Sequence, residues 1–444
     1  MTVSAALETL QSNRDASLKR LFALLQIKSV STDPAFRDEC QKCADWLAAD
    51  LNGMGFEASV RPTPGHPMVV AHARSPRSDA PHVLFYGHYD VQPVDPLNLW
   101  EADPFAPRIA QLNGEDVVVA RGASDDKGQL MTFVEACRAY MANGGLPCHV
   151  TILFEGEEEC GSSSLPAFLA ANRQELKADF ALVCDTNMWD PTTPAITAML
   201  RGLVFEEVTI HAANRDLHSG LYGGPAANPI RVLSQVLGKL HDGQGRVTLP
   251  GFYDGVSDLP PDIAKQWDAL PFDGDTYLGD VGLSVPAGEE GRSVLQQMWA
   301  RPTCEINGII GGYTGEGAKT VLPAQASAKV SFRVVAKQDP GKIAASFSTF
   351  VKKNITPDCS AEFISHGASP AIQLPFESPA LNQSRMALAD EWGKDAVIVG
   401  SGGSIPIIGE LKTGLGIDSL MIGFALEGDK IHSPNEKYNL SSFM

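Results

Sequence analysis

The sequence lacks several features that would indicate particular classes of protein. No apolar run approaches the ~20 residues that a membrane-spanning helix needs. Residues 1–25 carry charged side chains through a helical period, so we expect no secretory signal. Only 35 residues are Lys or Arg against 53 Asp and Glu, which gives a net charge of −18. Because nucleic-acid binding depends on basic side chains that neutralise phosphate, we expect neither a nucleic acid nor a membrane as a partner.

Cysteine is also sparse, with eight residues scattered through 444. This usage favours reduced thiols over a disulfide framework, so we expect a cytoplasmic protein. Hydrophobic residues make up 44% and charged residues 20% of the chain, as in ordinary globular proteins. The length exceeds that of one typical hydrophobic core, which favours two domains.

The first part of the chain alternates between helical and strand patterns. Helices are predicted at roughly 3–26, 38–53 and 128–142, and strands at roughly 82–87, 116–121, 149–155 and 179–184. This alternation predicts an α/β fold with a mostly parallel sheet.

The middle of the chain follows a different order. Strand and helix patterns between 197 and 368 run β-α-β-β-α-β, with an insertion at 243–300, which is the ferredoxin-like arrangement. Residues 369–444 return to the α/β pattern. We therefore expect a catalytic metal-binding domain, formed by residues 1–196 and 369–444, with an α+β domain inserted at 197–368.

Side chains of the metal-ligand type follow short apolar runs that have strand character. They are His88, Asp125, Glu159, Asp185 and His432. In open α/β sheets the chemistry gathers beyond the carboxyl ends of the strands. Two imidazoles and three carboxylates, with no thiolate among them, suit two divalent cations such as Zn²⁺ or Mn²⁺.

Three further patterns give these residues individual roles. Glu158 and Glu159 are adjacent, so one can bind metal while the other acts as a general base, although the acidic run around them could also be a solvated surface. Asp90 lies two residues after His88 and can accept its second N–H. Asp125 could bridge two cations that together activate one water.

Several sequence blocks resemble the signatures of the carnosinase-like dinuclear metallodipeptidases, in the aminoacylase and glutamate-carboxypeptidase superfamily. The blocks run in family order over nearly the whole chain: GHYDVQP, RGASDDKG, EGEEECGS, RDLHSGLYGG, GAKTVLP, GGSIP and HSPNEKY. The resemblance implies a zinc-peptidase catalytic domain with an inserted lid and dimerisation domain, two metal ions per chain, and a homodimer.

The resemblance also implies roles for individual residues. His88 and Asp185 would bind one metal, Glu159 and His432 the other, and Asp125 both, with Glu158 as general base and Asp90 orienting His88. His218 would polarise the scissile carbonyl from the partner subunit. The substrate would contact Arg333, His366, Thr320, Gly403 and Ser404. Without the resemblance, His218 would be read as an ordinary turn histidine and Arg333 as a surface charge.

The sequence therefore predicts an enzyme that hydrolyses dipeptides or short peptides with a free C-terminal carboxylate, through a metal-bridged water activated by Glu158. One alternative is an amidohydrolase of N-acyl or N-carbamoyl amino acids, which would share the metals and the base. A second alternative is a non-catalytic binding or scaffold protein, which the retained ligands and base argue against.

Overall fold

The structure, a computed structural model, describes residues 2–403 and 405–444. The chain forms two compact units. Unit 1 consists of Met1–Thr197, Leu374–Val397 and Glu410–Met444, and unit 2 consists of Ala198–Gln373 and Ile398–Gly409. The domain boundaries at 197 and 368 stay a prediction. Gly403 lies within the range 369–444 that we predicted for the catalytic domain, but in the structure it belongs to unit 2.

The N-terminal part of the chain supplies most of unit 1. Its helices are α1 Val3–Ser12, α2 Arg14–Leu25, α3 Arg37–Gly53, α4 Lys127–Ala142 and α5 Leu165–Ala171. Its strands are β1 Glu57–Arg61, β2 Met68–Ala73, β3 His82–His88, β4 Arg108–Leu112, β5 Glu115–Val119, β6 His149–Glu155, β7 Phe180–Val183 and β8 Ala195–Leu200.

The remaining elements follow in chain order. The strands are β9 Gly202–His211, β10 Leu217–His218, β11 Thr303–Gly311, β12 Val321–Leu322, β13 Gln325–Val334, β14 Ser360–Ser369, β15 Ile372–Gln373, β16 Val397–Ser401, β17 Ser419–Met421 and β18 Lys437–Asn439. The helices are α6 Ser219–Tyr222, α7 Pro229–Leu237, α8 Pro261–Asp268, α9 Gly274–Gly279, α10 Val294–Trp299, α11 Pro340–Asn354, α12 Pro379–Trp392, α13 Pro406–Glu410 and α14 Leu440–Phe443.

The main sheet of unit 1 has its parallel strands in the centre. Along the order β1-β2-β6-β3-β7-β17-β8, the pairs from β6 to β17 are parallel and the outer pairs are antiparallel. Strands β3 and β6 are buried over nearly their whole length, as expected for strands covered on both faces. The predicted α/β fold with a mostly parallel central sheet is confirmed.

Strand β5 corrects one expectation. We predicted a strand at 116–121 within the parallel sheet, but β5 lies in a separate antiparallel sheet of order β18-β5-β4. The reason is a hairpin between β4 and β5, in which Asn113 (φ 52°) and Gly114 (φ 87°) form the two-residue turn. Asn-Gly is a strong hairpin signal because both positions need positive φ.

Unit 2 contains an antiparallel sheet of order β11-β13-β9-β14, which is the ferredoxin-like strand order that we predicted. We call it the lid sheet. Along β9, side chains alternate between buried and half-buried, so one face is apolar. That face packs in one core with helices α7 and α11, through residues such as Val208, Leu233 and Phe347. The other, open face carries Glu207, Lys329 and Arg333, whereas Glu206 is buried on the packed face.

Candidate active site

The central strand β3 ends in a fully buried histidine. His88 is 0% exposed and lies opposite Glu155 on β6, while Val183 on β7 lies opposite Tyr86, two residues earlier on β3. The chain continues from β6 into Glu158 and Glu159, and from β7 into Asp185. Because β6, β3 and β7 are parallel and adjacent, their carboxyl ends bring these side chains to one edge of the sheet.

Asp125 lies between two groups of ligand-type atoms. In the first group, Nε2 of His88 lies 3.0 Å from Oδ1 of Asp125 and 3.9 Å from Oδ2 of Asp185. The atoms that the three residues offer lie within 4.8 Å of one another, which is close enough to surround one metal ion.

The second group uses the other oxygen of the same carboxylate. Nε2 of His432 lies 2.9 Å from Oδ2 of Asp125 and 3.3 Å from Oε2 of Glu159. These three residues also fall within 4.8 Å of one another. The structure therefore brings together all five residues that the strand-end pattern singled out, with Asp125 common to both groups.

The electrostatics of these groups fit bound cations. Burial alone would lower the pKa of His88, but hydrogen bonds with Asp125 and Asp90 raise it well above its usual value. Hydrogen bonds with Asp125 and Glu159 raise the pKa of His432 to about 10. Burial, with the nearby carboxylate of Asp125, raises the pKa of Asp185 to about 7. The clustered carboxylates thus favour positive charge, and imidazole and carboxylate ligands suit Zn²⁺ or Mn²⁺.

Asp90 contacts both sides of the cluster. Its backbone oxygen lies 3.1 Å from Nδ1 of His88, whereas its carboxylate Oδ1 lies 3.6 Å away. The same carboxylate accepts hydrogen bonds from the backbone N–H groups of Glu158 (3.3 Å) and Glu159 (3.0 Å). We expected the carboxylate itself to orient His88. In the structure the backbone carbonyl of Asp90 makes the nearer contact with His88. The carboxylate of Asp90 instead accepts the hydrogen bonds of the Glu158–Glu159 turn.

Glu158 is half-buried beside this cluster. Burial raises the pKa of Glu158, and the neighbouring carboxylates of Glu159 and Asp90 contribute in the same direction. Its backbone is fixed by Asp90, while its neighbour Glu159 accepts a hydrogen bond from Nε2 of Gln92 at 2.7 Å. A carboxylate whose pKa is raised is a better proton acceptor, as a general base requires.

Sequence reasoning missed Gln92 and Asp126, which contact predicted ligands. Asp126 is fully buried, and its Oδ2 accepts a hydrogen bond from the backbone N–H of His88 at 3.1 Å. The spacing of His88 and Asp90 in the sequence indicates a contact between them. No local pattern indicates which of the adjacent Asp125 and Asp126 contacts the backbone of His88.

The other predicted site residues belong to unit 2. His218 is exposed and pairs with Val321 across the β10–β12 ladder, and the next residue, Ser219, donates a backbone hydrogen bond to the carbonyl of Thr320. Nδ1 of His218 accepts a hydrogen bond from the N–H of Gly220 at 3.0 Å. The neutral ring therefore carries its proton on Nε2, which makes that atom a donor.

The open face of the lid sheet holds Arg333 and His366. Arg333 lies opposite Leu203 on β9, and Nε2 of His366 lies 2.9 Å from Oε2 of Glu207. Burial and the nearby guanidinium of Arg333 lower the pKa of Arg201 to about 10. The guanidinium groups of Arg201 and Arg333 therefore lie near each other, and together they suit an anionic group.

Two predicted residues lie in the GGSIP block. The backbone N–H of Gly403 donates to Oγ of Ser401 at 3.2 Å. Ser404, also predicted to contact substrate, lies outside the described residues.

Residues 84–444 match the pattern of peptidase family M20/M25/M40. The chain belongs to this family. It is 29% identical to the Cys-Gly metallodipeptidase DUG1 of Candida albicans over 98% of this chain and 93% of that protein. It is 27% identical to the Beta-Ala-His dipeptidase of Homo sapiens over 94% of this chain and 84% of that protein.

Solved structures give the same result. The dipeptidase Dug1p of Saccharomyces cerevisiae aligns with a TM-score of 0.73 and 26% identity, over 100% of this chain and 95% of that one. The M20 family metallo-carboxypeptidase Sso-CP2 of Sulfolobus solfataricus aligns with a TM-score of 0.77 and 30% identity, over 96% and 95%. The expectation of a metallopeptidase of the dipeptidase type is confirmed. Within the described part of the chain, no helix has the length and apolar character to cross a membrane.

Proposed function

We propose that this peptidase hydrolyses dipeptides or short peptides that carry a free C-terminal carboxylate. The observation that supports this most is the pair of ligand groups sharing Asp125, with the carboxylate of Glu158 beside them. The names of its relatives add support, because they include a Cys-Gly metallodipeptidase, a Beta-Ala-His dipeptidase and a metallo-carboxypeptidase.

We propose that His88 and Asp185 hold one divalent ion, Glu159 and His432 a second, and Asp125 both. Zn²⁺ and Mn²⁺ are the candidates, since the ligands are nitrogen and oxygen atoms. Two such ions, when bound, activate water and polarise the scissile carbonyl. The contacts of Asp125 support the shared role, because its two oxygens face different histidines.

In this proposal Glu158 accepts a proton from the attacking water and later delivers it to the leaving amine. Burial raises the pKa of Glu158, which favours its role as a group that takes up and then releases a proton. Asp90 holds the backbone of Glu158, so the carboxylate keeps its place beside the ligands. Nε2 of His218 would donate a hydrogen bond to the carbonyl oxygen as negative charge develops there.

The substrate's terminal carboxylate would bind Arg333 and His366, with Thr320, Gly403 and Ser404 lining the pocket. A guanidinium matches the geometry of a carboxylate. We further propose a homodimer in which His218 of the partner subunit completes each site. Strand β11 supports association, since it is an edge strand of the lid sheet with Ile309 and Ile310 exposed at 62% and 65%.

We also propose a cytoplasmic location, because none of the eight cysteines forms a disulfide.

A substrate screen tests the proposal. Protein reconstituted separately with Zn²⁺ and Mn²⁺ would be incubated with a dipeptide library, including Cys-Gly and β-Ala-His, and with N-acetyl and N-carbamoyl amino acids. We expect the highest kcat/KM among dipeptides, and turnover by a Glu158→Gln control that is lower by about 10²–10⁴-fold. Preferential hydrolysis of the N-acyl or N-carbamoyl compounds would favour the amidohydrolase alternative, and no metal-dependent hydrolysis would reject the enzymatic proposal.

A further inference from the structure

Glu436 is a fully buried carboxylate near the C-terminal end of the described chain, at 0% exposure. Its Oε2 accepts hydrogen bonds from Nη1 of Arg121 (2.8 Å) and the backbone N–H of Gly122 (3.0 Å). Its Oε1 accepts hydrogen bonds from the backbone N–H groups of Ser124 (2.9 Å) and Asp125 (3.0 Å). A carboxylate is an acceptor at both oxygens, so all four donors are satisfied by one side chain.

These donors belong to the loop that ends at Asp125. The loop leaves strand β5 and runs over Arg121–Asp125 before helix α4 begins at Lys127. Because Glu436 holds the backbone N–H of Asp125 itself, it fixes the position from which the Asp125 side chain extends. The two oxygens of that side chain face His88 and His432.

Glu436 also lies in the segment that carries His432. This segment has an unfavourable backbone, since His432 (φ 59°) and Asn435 (φ 62°) both adopt left-handed conformations. Asn435 is held by hydrogen bonds of 2.9 Å with the N–H of Glu101 and the carbonyl of Leu99. The contacts of Asn435 and Glu436, both after His432 in the sequence, anchor a segment whose conformation an isolated peptide would rarely adopt.

We propose that Glu436 is a positioning residue for the metal centre. Glu436 joins the Asp125 loop to the His432 segment and so sets the distance between Asp125 and His432. It touches neither substrate nor metal and acts through Asp125 and His432. This inference rests on the proposed metal-binding roles of those two residues. Partners that orient metal ligands typically contribute ~10–100-fold to metal affinity or activity.

The test compares Glu436→Gln with a matched buried glutamate. The substituted glutamine would keep the size of the side chain but would turn an NH₂ group toward backbone N–H donors, leaving at least one pair of donors without an acceptor. Glu135 on helix α4 serves as the control, because it is also buried (3% exposed) and accepts hydrogen bonds from Nε of Arg20 (2.6 Å) and Oγ of Ser17 (2.7 Å). Glu135→Gln therefore removes the charge of another buried, Arg-paired glutamate, away from the proposed ligands.

Metal-free wild type, Glu436→Gln and Glu135→Gln would each be titrated with Co²⁺, whose visible absorption reports coordination geometry, and with Zn²⁺ in competition. Thermal unfolding of the metal-free proteins would measure the general loss of stability. We expect Glu436→Gln to bind Co²⁺ about 10–100-fold more weakly with an altered spectrum, and Glu135→Gln to lose stability with normal affinity and spectrum. If Glu436→Gln does not fold, Glu436→Asp, which keeps the charge but shortens the side chain, carries the same test.

Wild-type Co²⁺ affinity and spectrum in the Glu436 variant would overturn the inference, and so would an equal loss of affinity in Glu135→Gln. An Asp125→Asn variant separates this failure from that of the proposed function. If Asp125→Asn loses metal while Glu436→Gln does not, only the role of Glu436 is wrong. If Asp125→Asn binds both ions normally, the proposed ligand set is wrong.

Discussion

Nε2 of His432 lies 2.9 Å from Oδ2 of Asp125, although the two residues are far apart in the sequence. The other oxygen of Asp125 faces His88 at 3.0 Å. The two candidate metal positions therefore depend on a single side chain, and its loss should affect both.

We predict that Asp125→Ala lowers metal content more than any other single ligand substitution. Elemental analysis of purified variants would measure the ions bound per chain. Asp185→Ala should remove mainly the ion held with His88, because Asp185 belongs to only one ligand group. Retention of two ions per chain by Asp125→Ala would show that this residue does not bridge.

Glu158→Gln should leave both ions bound while lowering kcat by about 10²–10⁴-fold, the range for loss of a general acid–base group. The physical reason is that an amide cannot accept a proton from water. Glu157→Gln is a useful comparison, since Glu157 accepts backbone hydrogen bonds from His66 and Ser164. Near-normal turnover by Glu158→Gln would remove Glu158 from the mechanism.

Amidation of the substrate's C-terminus should raise KM sharply for the wild-type enzyme, because Arg333 and His366 would lose a carboxylate partner. Arg333→Met should raise KM for the free acid and change it little for the amide. Lys329→Met is the control, since Lys329 lies on the same strand and the same face of the lid sheet but was not predicted to contact substrate. Equal kcat/KM values for acid and amide in the wild-type protein would contradict a carboxylate-reading site.

If His218 acts in the partner's site, the homodimers of His218→Ala and of Glu158→Ala should both be nearly inactive. Co-dissociating and reassociating equal amounts should restore roughly a quarter of wild-type sites, because half of the dimers are mixed and each contains one intact site. Wild-type protein taken through the same treatment controls for recovery. No regained activity alongside a recovered control would place His218 in its own subunit's site or outside catalysis.

Ionisation of Glu135 should make the free energy of unfolding of the metal-free protein fall as the pH is lowered into the acid range. Burial would raise the pKa of Glu135, but hydrogen bonds from Arg20 and Ser17 outweigh it and lower the pKa below its ordinary value of 4.5. A lowered folded-state pKa contributes stability above the unfolded value, and this stability is lost as pH falls through the folded value. Urea unfolding midpoints of wild type and Glu135→Gln should therefore differ at neutral pH and converge below pH 4.5. A difference that stays constant across this range would refute the linkage.

Much of the sheet was predictable from local sequence. Strands β3, β6 and β7 are short apolar runs, and a parallel sheet brings the residues after them together, which is why His88, Glu159 and Asp185 could be grouped. The hairpin at Asn113-Gly114 was also encoded locally, but the apolar run after it was assigned to the wrong sheet.

The contacts around Asp125 could not be predicted in this way. Glu436 and the 121–125 loop are separated by most of the chain, and no periodicity in one sequence links a buried carboxylate to distant backbone N–H groups. The same holds for Gln92 and Asp126, whose roles depend on the exact placement of two turns. Residue type and strand-end position singled out the candidate ligands, whereas their supporting hydrogen bonds depend on tertiary contacts that no local pattern encodes.

The insertion of Ala198–Gln373 between the first and second segments of unit 1 gives the proposed ligands an order of appearance during synthesis. His88, Asp125 and Asp185 leave the ribosome before the insertion, and His432 leaves after it. A nascent chain therefore contains His88, Asp125 and Asp185 before the insertion is translated. The contacts of Asp125 with His432 and Glu436 can form only near the end of translation. Since Asp125 is common to both groups, one of its oxygens can meet His88 early, whereas the other meets His432 only after the insertion has been translated.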